Sequence, residues 1–207
     1  MFVARCTILG GTNGSGKSSI FDNSPELQIV GDFINADQVA RSISHDRPET
    51  VSGEAGRRVI LELARLISAQ QDFVLETTLS SKQSLRLMRA ARDAGYLVGL
   101  VFVVLKNVDL NVRRVHERVS RGGHSIPDQV IHRRYRRALA NLAEAIALSH
   151  ETAIYDNSLP DLVKVAELSN KKLLSQRLNR ANPSHIEVAT AIALAIDTPA
   201  TAIFDAT

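Results

Sequence analysis

Residues 11 to 18 have the types and the spacing to hold a chain of phosphates. Gly11-Thr12-Asn13-Gly14-Ser15-Gly16-Lys17-Ser18 matches the pattern G-x-x-x-x-G-K-[ST] throughout. Glycines let the backbone turn tightly, so that successive N–H groups point into one concavity. A helix that follows adds its positive N-terminal end. Lys17 would reach the β- and γ-phosphates of ATP or GTP, the Ser18 hydroxyl would hold Mg2+, and Ser19 completes the nucleotide-binding set. The competing reading is a chance match in a glycine-rich turn. Against it, the apolar run Val3–Leu9 precedes the loop and the helix-compatible run Lys17–Asp22 follows it. Switches, motors and kinases share this motif, so other residues must decide among them.

Two carboxylates fall at the carboxyl ends of strand-like runs, where ligands sit in open α/β sheets. Asp37 follows Phe33-Ile34-Asn35-Ala36 and is the candidate base that orients an acceptor hydroxyl and takes its proton. The alternative is that Asp37 caps the short helix after it. Asp32 competes with it but lies inside the apolar run. Glu76 follows Phe73-Val74-Leu75, and Glu76-Thr77-Thr78 supplies one carboxylate and two hydroxyls as substrate contacts or, alternatively, as a solvated turn. The run Tyr96–Leu105 ends in Lys106-Asn107, without the metal-binding Asp that motors place after an apolar strand. Eight arginines crowd the stretch from Arg113 to Arg137. Arginine grips phosphate with a planar, permanently charged fork, which suits a lid over a transferring group. Arg118 and Arg121 are one turn apart beside Gly122-Gly123, and His124 follows. The bland alternative is a solvated helix face. No aromatic residue is interleaved from Arg113 to Arg134, so a nucleic-acid surface would lack a stacking platform.

The elements that must position these residues alternate strand and helix. This predicts an α/β fold of the P-loop NTPase type, with a parallel sheet of about five strands and helices on both faces. Helices are expected over Val51–Ala69, from Ser80 or Ser81 to Gly95, from Asp109 to Arg121 and from Pro127-Asp128 to Ser149. The second strand is expected over Gln28–Asn35, after a helix stop at Asn23-Ser24-Pro25, and a last short strand over Thr152–Tyr155. Residues 1–170 read as one domain with a lid near 109–127. Residues 171–207 read as a helical extension packed on the core, with Ser184 capping an Ala-rich helix. Hydrophobic residues at 44% and charged residues at 23% suit a globular chain with a full core, and 4% aromatics argue against a site of stacked rings. The net charge of +3 is too small to imply nucleic acid. Cys6 is alone, which fits a reducing cytosol, and no leader or apolar run of about 20 residues is seen. A cytoplasmic, membrane-free protein is expected.

Taken in order, Gly10–Ser18, Ile34-Asn35-Ala36-Asp37, Phe73–Thr78, Val112–Val119, Arg121–Pro127 and Tyr155-Asp156-Asn157-Ser158 resemble the zeta-toxin family of P-loop kinases, in its compact members, over roughly residues 1 to 170. The resemblance implies ATP and Mg2+ as cofactors and the 3′-hydroxyl of UDP-N-acetylglucosamine as the acceptor. It also implies a small helical antitoxin protein that covers the ATP site. By the same resemblance Asp37 is the catalytic base, Glu76 the substrate-binding acid and Arg118 the first lid arginine. The second lid arginine aligns with His124, so Arg121 or Arg134 would replace it. The chain lacks the extensions of larger members, which leaves the acceptor open to another small hydroxyl compound such as an antibiotic or a nucleoside. A nucleotide-gated binding protein, which would need no base at position 37, is the rival from outside the enzymes.

Overall fold

The strongest strand signal, the apolar run ending at Leu105, falls at the centre of the molecule. The protein is described by a computed structural model over residues 3–22, 31–45, 47–123 and 125–206. Its strands are β1 (Arg5–Gly10), β2 (Asp32–Asn35), β3 (Phe73–Thr77), β4 (Leu97–Val104), β5 (Glu151–Asp156), β6 (Val163–Ser169) and β7 (Lys172–Gln176). They form one sheet in the order β2-β3-β1-β4-β5-β6-β7. The first five pair in parallel, and β6 and β7 add antiparallel. The helices are α1 (Lys17–Asp22), α2 (Ala36–Ile43), α3 (Ser52–Ser68), α4 (Lys82–Asp93), α5 (Val108–Val119), α6 (Asp128–Leu148), α7 (Pro183–Ile196) and α8 (Ala200–Asp205). No helix of the described residues is long and apolar enough to cross a membrane.

The alternation of strand and helix thus produces an α/β fold as expected, but with seven strands rather than five. Residues 171–207, expected as a helical extension, begin instead with β7, the second strand of the hairpin β6–β7. Its turn is Asn170-Lys171, with φ of 47° and 63°, the left-handed pair that a two-residue hairpin needs. Lysine in place of the usual glycine hides that turn from a sequence reading. The cap assignments shift as well. Asn182, not Ser184, caps α7, its Oδ1 accepting from Ser184 N at 3.1 Å, with Pro183 in the first turn. Asn107, not Asp109, caps α5 by accepting from Leu110 N at 3.0 Å. Ser81 sits at the cap position of α4 without a side-chain bond. The expected helix stop at Asn23-Ser24-Pro25 and the start of the second strand at Gln28 lie outside the described residues.

Helices lie against both faces, but unequally. Strand residues alternate in direction. Cys6, Ile8, Phe73, Leu75, Leu100 and Phe102 face the main core, against α3, α4, α6 and α7. Leu9, Val74 and Val103 face the other way and meet Ile20 of α1. Helix α7 is thus a wall of the main core. Ile192 is fully buried, so Ile192→Ala should cost about 2–5 kcal/mol. Urea unfolding checks this: an unchanged midpoint would make residues 183–196 a loosely attached appendage.

Candidate active site

The phosphate-binding motif forms the turn between β1 and α1, at the carboxyl end of a strand flanked by β3 and β4. Gly11 has φ of 144°, and a Cβ there would lie 2.6 Å from the Val103 carbonyl and 2.8 Å from Ser15 Oγ. At Gly14, φ is 78° and a Cβ would lie 2.6 Å from the Asn111 carbonyl. Both positions therefore require glycine. The loop carbonyls are held from behind. Thr12 O accepts from Ser15 N at 3.1 Å and from Lys17 Nζ at 3.3 Å. Asn13 O accepts from Asn111 Nδ2 at 2.8 Å, and Ser15 O from Asn157 Nδ2 at 2.9 Å. Gly16 O accepts the first helical bond, from Ile20 N at 3.0 Å. Ser15 Oγ and Asn111 Oδ1 are buried without a hydrogen-bond partner among the described residues. Ser18 and Ser19 lie exposed on the first turn of α1.

Asp37 is not the cap of α2. Asn35 takes that place, its Oδ1 accepting from Asp37 N at 2.8 Å and from Gln38 N at 3.2 Å. The Asp37 carboxylate is left on the wall of a cavity of about 380 Å3. Glu76 comes to the loop: Ser18 Oγ donates to it at 2.9 Å and Lys17 Nζ is 3.9 Å away. Ser18 and Glu76 are hard oxygen donors of the kind Mg2+ accepts. Among the described residues, no group of three or more His, Cys, Asp or Glu gathers around a metal position. The threonine hydroxyls serve the turn after β3. Thr77 Oγ1 pairs with Ser84 Oγ at 2.9 Å and accepts from Leu79 N at 3.1 Å, and Thr78 Oγ1 pairs with Ser80 Oγ at 2.8 Å. They hold buried Leu79 at φ of 55°, a costly conformation for a leucine. Asn141 Nδ2 of α6 bonds the Leu79 carbonyl at 2.9 Å. Beyond Glu76 and Thr77 runs an apolar groove of about 640 Å3 between α3 and α4.

The cavity beside Asp37 is basic. Arg41, Arg118, Arg133 and Arg134 line it, with Ser125 and Pro127. Arg118 lies one helical repeat from Asn111, so the residue that braces the loop and the arginine over it share a face of α5. Arg134 sits between buried Ile131 and Ala138 on α6, and its Nη1 donates to Asn13 Oδ1 at 2.9 Å. Of the two stand-ins for the second lid arginine, Arg134 enters the cavity. Arg121 stays exposed in the turn after α5, outside the cavity lining. His124 lies outside the described residues. Lys17 is buried, and burial pushes its pKa down. Glu76 and Asp37 pull it back up, and Arg118 and Arg134 push it down further. Burial likewise lowers Arg134, with Asp37 opposing and Arg133 assisting. Asn111, Asn141 and Asn157 escaped the sequence reading as site residues. Their signal is amide side chains in the interior of α5 and α6 or at a strand end, where they satisfy backbone carbonyls.

A glycine-built anion cradle at the central strand of a parallel sheet, a buried lysine inside it and arginines facing a carboxylate across a cavity define a P-loop phosphotransferase. Residues 5–165 match the family model described as zeta toxin, and the chain belongs to that family. A relative in Haemophilus influenzae, described as an uncharacterized protein, is 34% identical over 126 residues, covering 60% of this chain and 88% of its own. Among solved structures, the PezAT chromosomal toxin–antitoxin system of Streptococcus pneumoniae superposes with a TM-score of 0.63 at 16% identity, covering 96% of this chain and 89% of that one. The AvrRxo1-ORF1:-ORF2 complex with ATP superposes with a TM-score of 0.68 at 16% identity, covering 84% of this chain. This chain spans only 61% of that neighbour's length.

The depressed pKa of Lys17 has a consequence. The charged ammonium is disfavoured in the fold, and a bound phosphate would repay it. Lys17→Met should raise Tm of the nucleotide-free protein while weakening ATP binding about 10- to 100-fold, the worth of one charge-assisted hydrogen bond. A lower Tm would mean that Lys17 is structural.

Proposed function

We propose that the chain is an ATP- and Mg2+-dependent kinase that transfers the γ-phosphoryl group to a hydroxyl of UDP-N-acetylglucosamine. The observation that carries the kinase reading is the placement of Asp37, and the acceptor is inferred from the family. Its carboxylate is spared from capping by Asn35 and lines the same cavity as Arg118 and Arg134, with Lys17 close enough to feel all three charges. A switch protein needs no carboxylate there, whereas a kinase does. Asp37 accepts the proton of the acceptor hydroxyl as that oxygen bonds the γ-phosphorus. The bond from the γ-phosphorus to its bridging oxygen breaks, and ADP leaves. Lys17 steadies the β- and γ-phosphates, and Arg118 and Arg134 meet the charge on the transferring group. Ser18, with Glu76 hydrogen-bonded to it, would hold Mg2+, which would neutralise phosphate charge. Glu76 and His124 are assigned to the acceptor side, Glu76 and Thr77 lining the groove between α3 and α4, while the Thr77 and Thr78 hydroxyls shape the turn beside Glu76. The PezAT likeness supports a small antitoxin partner, and a site of action in the cytoplasm suits both substrates. A kinase for another small hydroxyl compound keeps the same residues with a different occupant of that groove.

ATP consumption with and without UDP-N-acetylglucosamine tests the reading. Turnover should require the acceptor and fall at least about 10²-fold in Asp37→Ala, the typical share of a general base, with ATP binding kept. Retained ATP binding without stimulation by this acceptor would sink the sugar-nucleotide assignment and call for a wider acceptor screen. The arginines separate in the same assay. Arg134→Ala should lower kcat about 10³-fold or more, while Arg121→Ala should change it less than about twofold. The reverse order would move the second lid arginine to the turn after α5.

A further inference from the structure

We propose that His185 is a positioning residue for the phosphate loop. Through Asp156 it fixes the strand-end turn from which Asn157 holds the Ser15 carbonyl. Helix α7 lies beyond residue 165, where the family match ends, so nothing in that match assigns it a part in the site.

The chain of contacts is continuous. Asp156 ends β5 with a carboxylate only 14% exposed. Its Oδ2 accepts from His185 Nε2 at 3.0 Å and from Asn182 Nδ2 at 3.2 Å. Its Oδ1 accepts from Ser158 N at 2.8 Å and from the Ser158 hydroxyl. Four donors converge on one carboxylate, so Asp156 serves structure although it stands at a strand end like Asp37 and Glu76. His185 is 5% exposed, and its Nδ1 accepts from Asn179 N at 2.9 Å. That bond puts the ring proton on Nε2, facing Asp156. Ser158 Oγ also accepts from Lys106 N at 2.7 Å, which ties the turn to the exit of β4. Between these anchors stands Asn157. Its backbone N–H donates to Val104 O at 3.1 Å and its Nδ2 to Ser15 O at 2.9 Å. The same amide closes the space at Gly16, where a Cβ would collide with it.

Without His185, the largely buried Asp156 carboxylate loses one of its four donors and keeps Asn182 as its tie to the start of α7, so Oδ2 is drawn toward water. The turn that carries Asn157 then shifts, and the Ser15 carbonyl loses its donor. The loop is left free to flip that peptide, which spoils the inward set of N–H groups. The effect falls on nucleotide affinity, since none of these residues lines the Asp37 cavity.

The inference rests on residues 11–18 as the nucleotide cradle and not on the acceptor. The test is therefore equilibrium binding of N-methylanthraniloyl-ATP to the full chain, with no acceptor present. Wild-type binding establishes the cradle, and failure of UDP-N-acetylglucosamine as acceptor leaves this result untouched. His185→Phe, which keeps the ring volume, should raise Kd about tenfold, the worth of one buried hydrogen bond. His185→Gln, which keeps an N–H donor, should recover most of that loss. Asn157→Ala should match His185→Phe, and the double variant should be no weaker than either single one, because both act on one carbonyl. If His185→Phe does not fold, Asp156→Asn paired with Asn157→Ala reads the same coupling. A wild-type Kd in the folded His185→Phe protein, losses that add, or a glutamine variant no better than phenylalanine would each reduce α7 to packing.

Discussion

A loop that turns its N–H groups inward must turn its carbonyls outward, and each of those carbonyls needs a donor. This constraint organises the structure around residues 11–18. Inside the loop, Ser15 N and Lys17 Nζ serve Thr12 O, and Ile20 N serves Gly16 O. Two more are met from elsewhere: Asn111 of α5 serves Asn13 O and Asn157, just after β5, serves Ser15 O. Leaving one unmet costs about 1–3 kcal/mol at a buried position. The glycines make the turn sterically allowed, and the asparagines supply the donors its carbonyls require.

The charges around the loop follow a second necessity. Lys17 is a buried cation whose partners of opposite sign, Glu76 and Asp37, compete with Arg118 and Arg134 of like sign. Such a set is poorly balanced without a bound anion. A bound polyphosphate would set negative charge against the lysine and both arginines. The same helices do both jobs. Helix α5 carries Asn111 and Arg118 on one face, and α6 carries Arg134 and Asn141, which reach the Asn13 side chain and the Leu79 carbonyl. A movement of either helix therefore changes loop geometry and charge together.

Much of this was legible in the sequence. The loop, the strands before Glu76 and at Leu97–Val104, and helix α6 announce themselves through spacing, apolar runs and caps. Asp37 was legible as a candidate base with capping as the alternative, and capping fails once Asn35 is seen to accept from the backbone there. The hairpin β6–β7 was hidden by Asn170-Lys171, a left-handed turn without glycine. Arg134 was indistinct among its neighbouring arginines, and only its place between Ile131 and Ala138 on the buried side of α6 separates it. Asn111 and Asn157 carried only a faint signal, an amide inside a helix or after a strand, which does not say which distant carbonyl it serves.

Those distances along the chain have their own meaning. The asparagine and arginine side chains that reach the loop from outside come 98, 121 and 142 residues after the residues they hold. A nascent chain emerging from the ribosome displays the loop first and its bracing last. Contacts of such separation pay loop-closure entropy before they return anything, so they form late. The nucleotide cradle is therefore incomplete until the segment that carries Asn157 has been made, although its defining residues appear 142 residues earlier. Competence for ATP waits on a side chain made long after the loop itself.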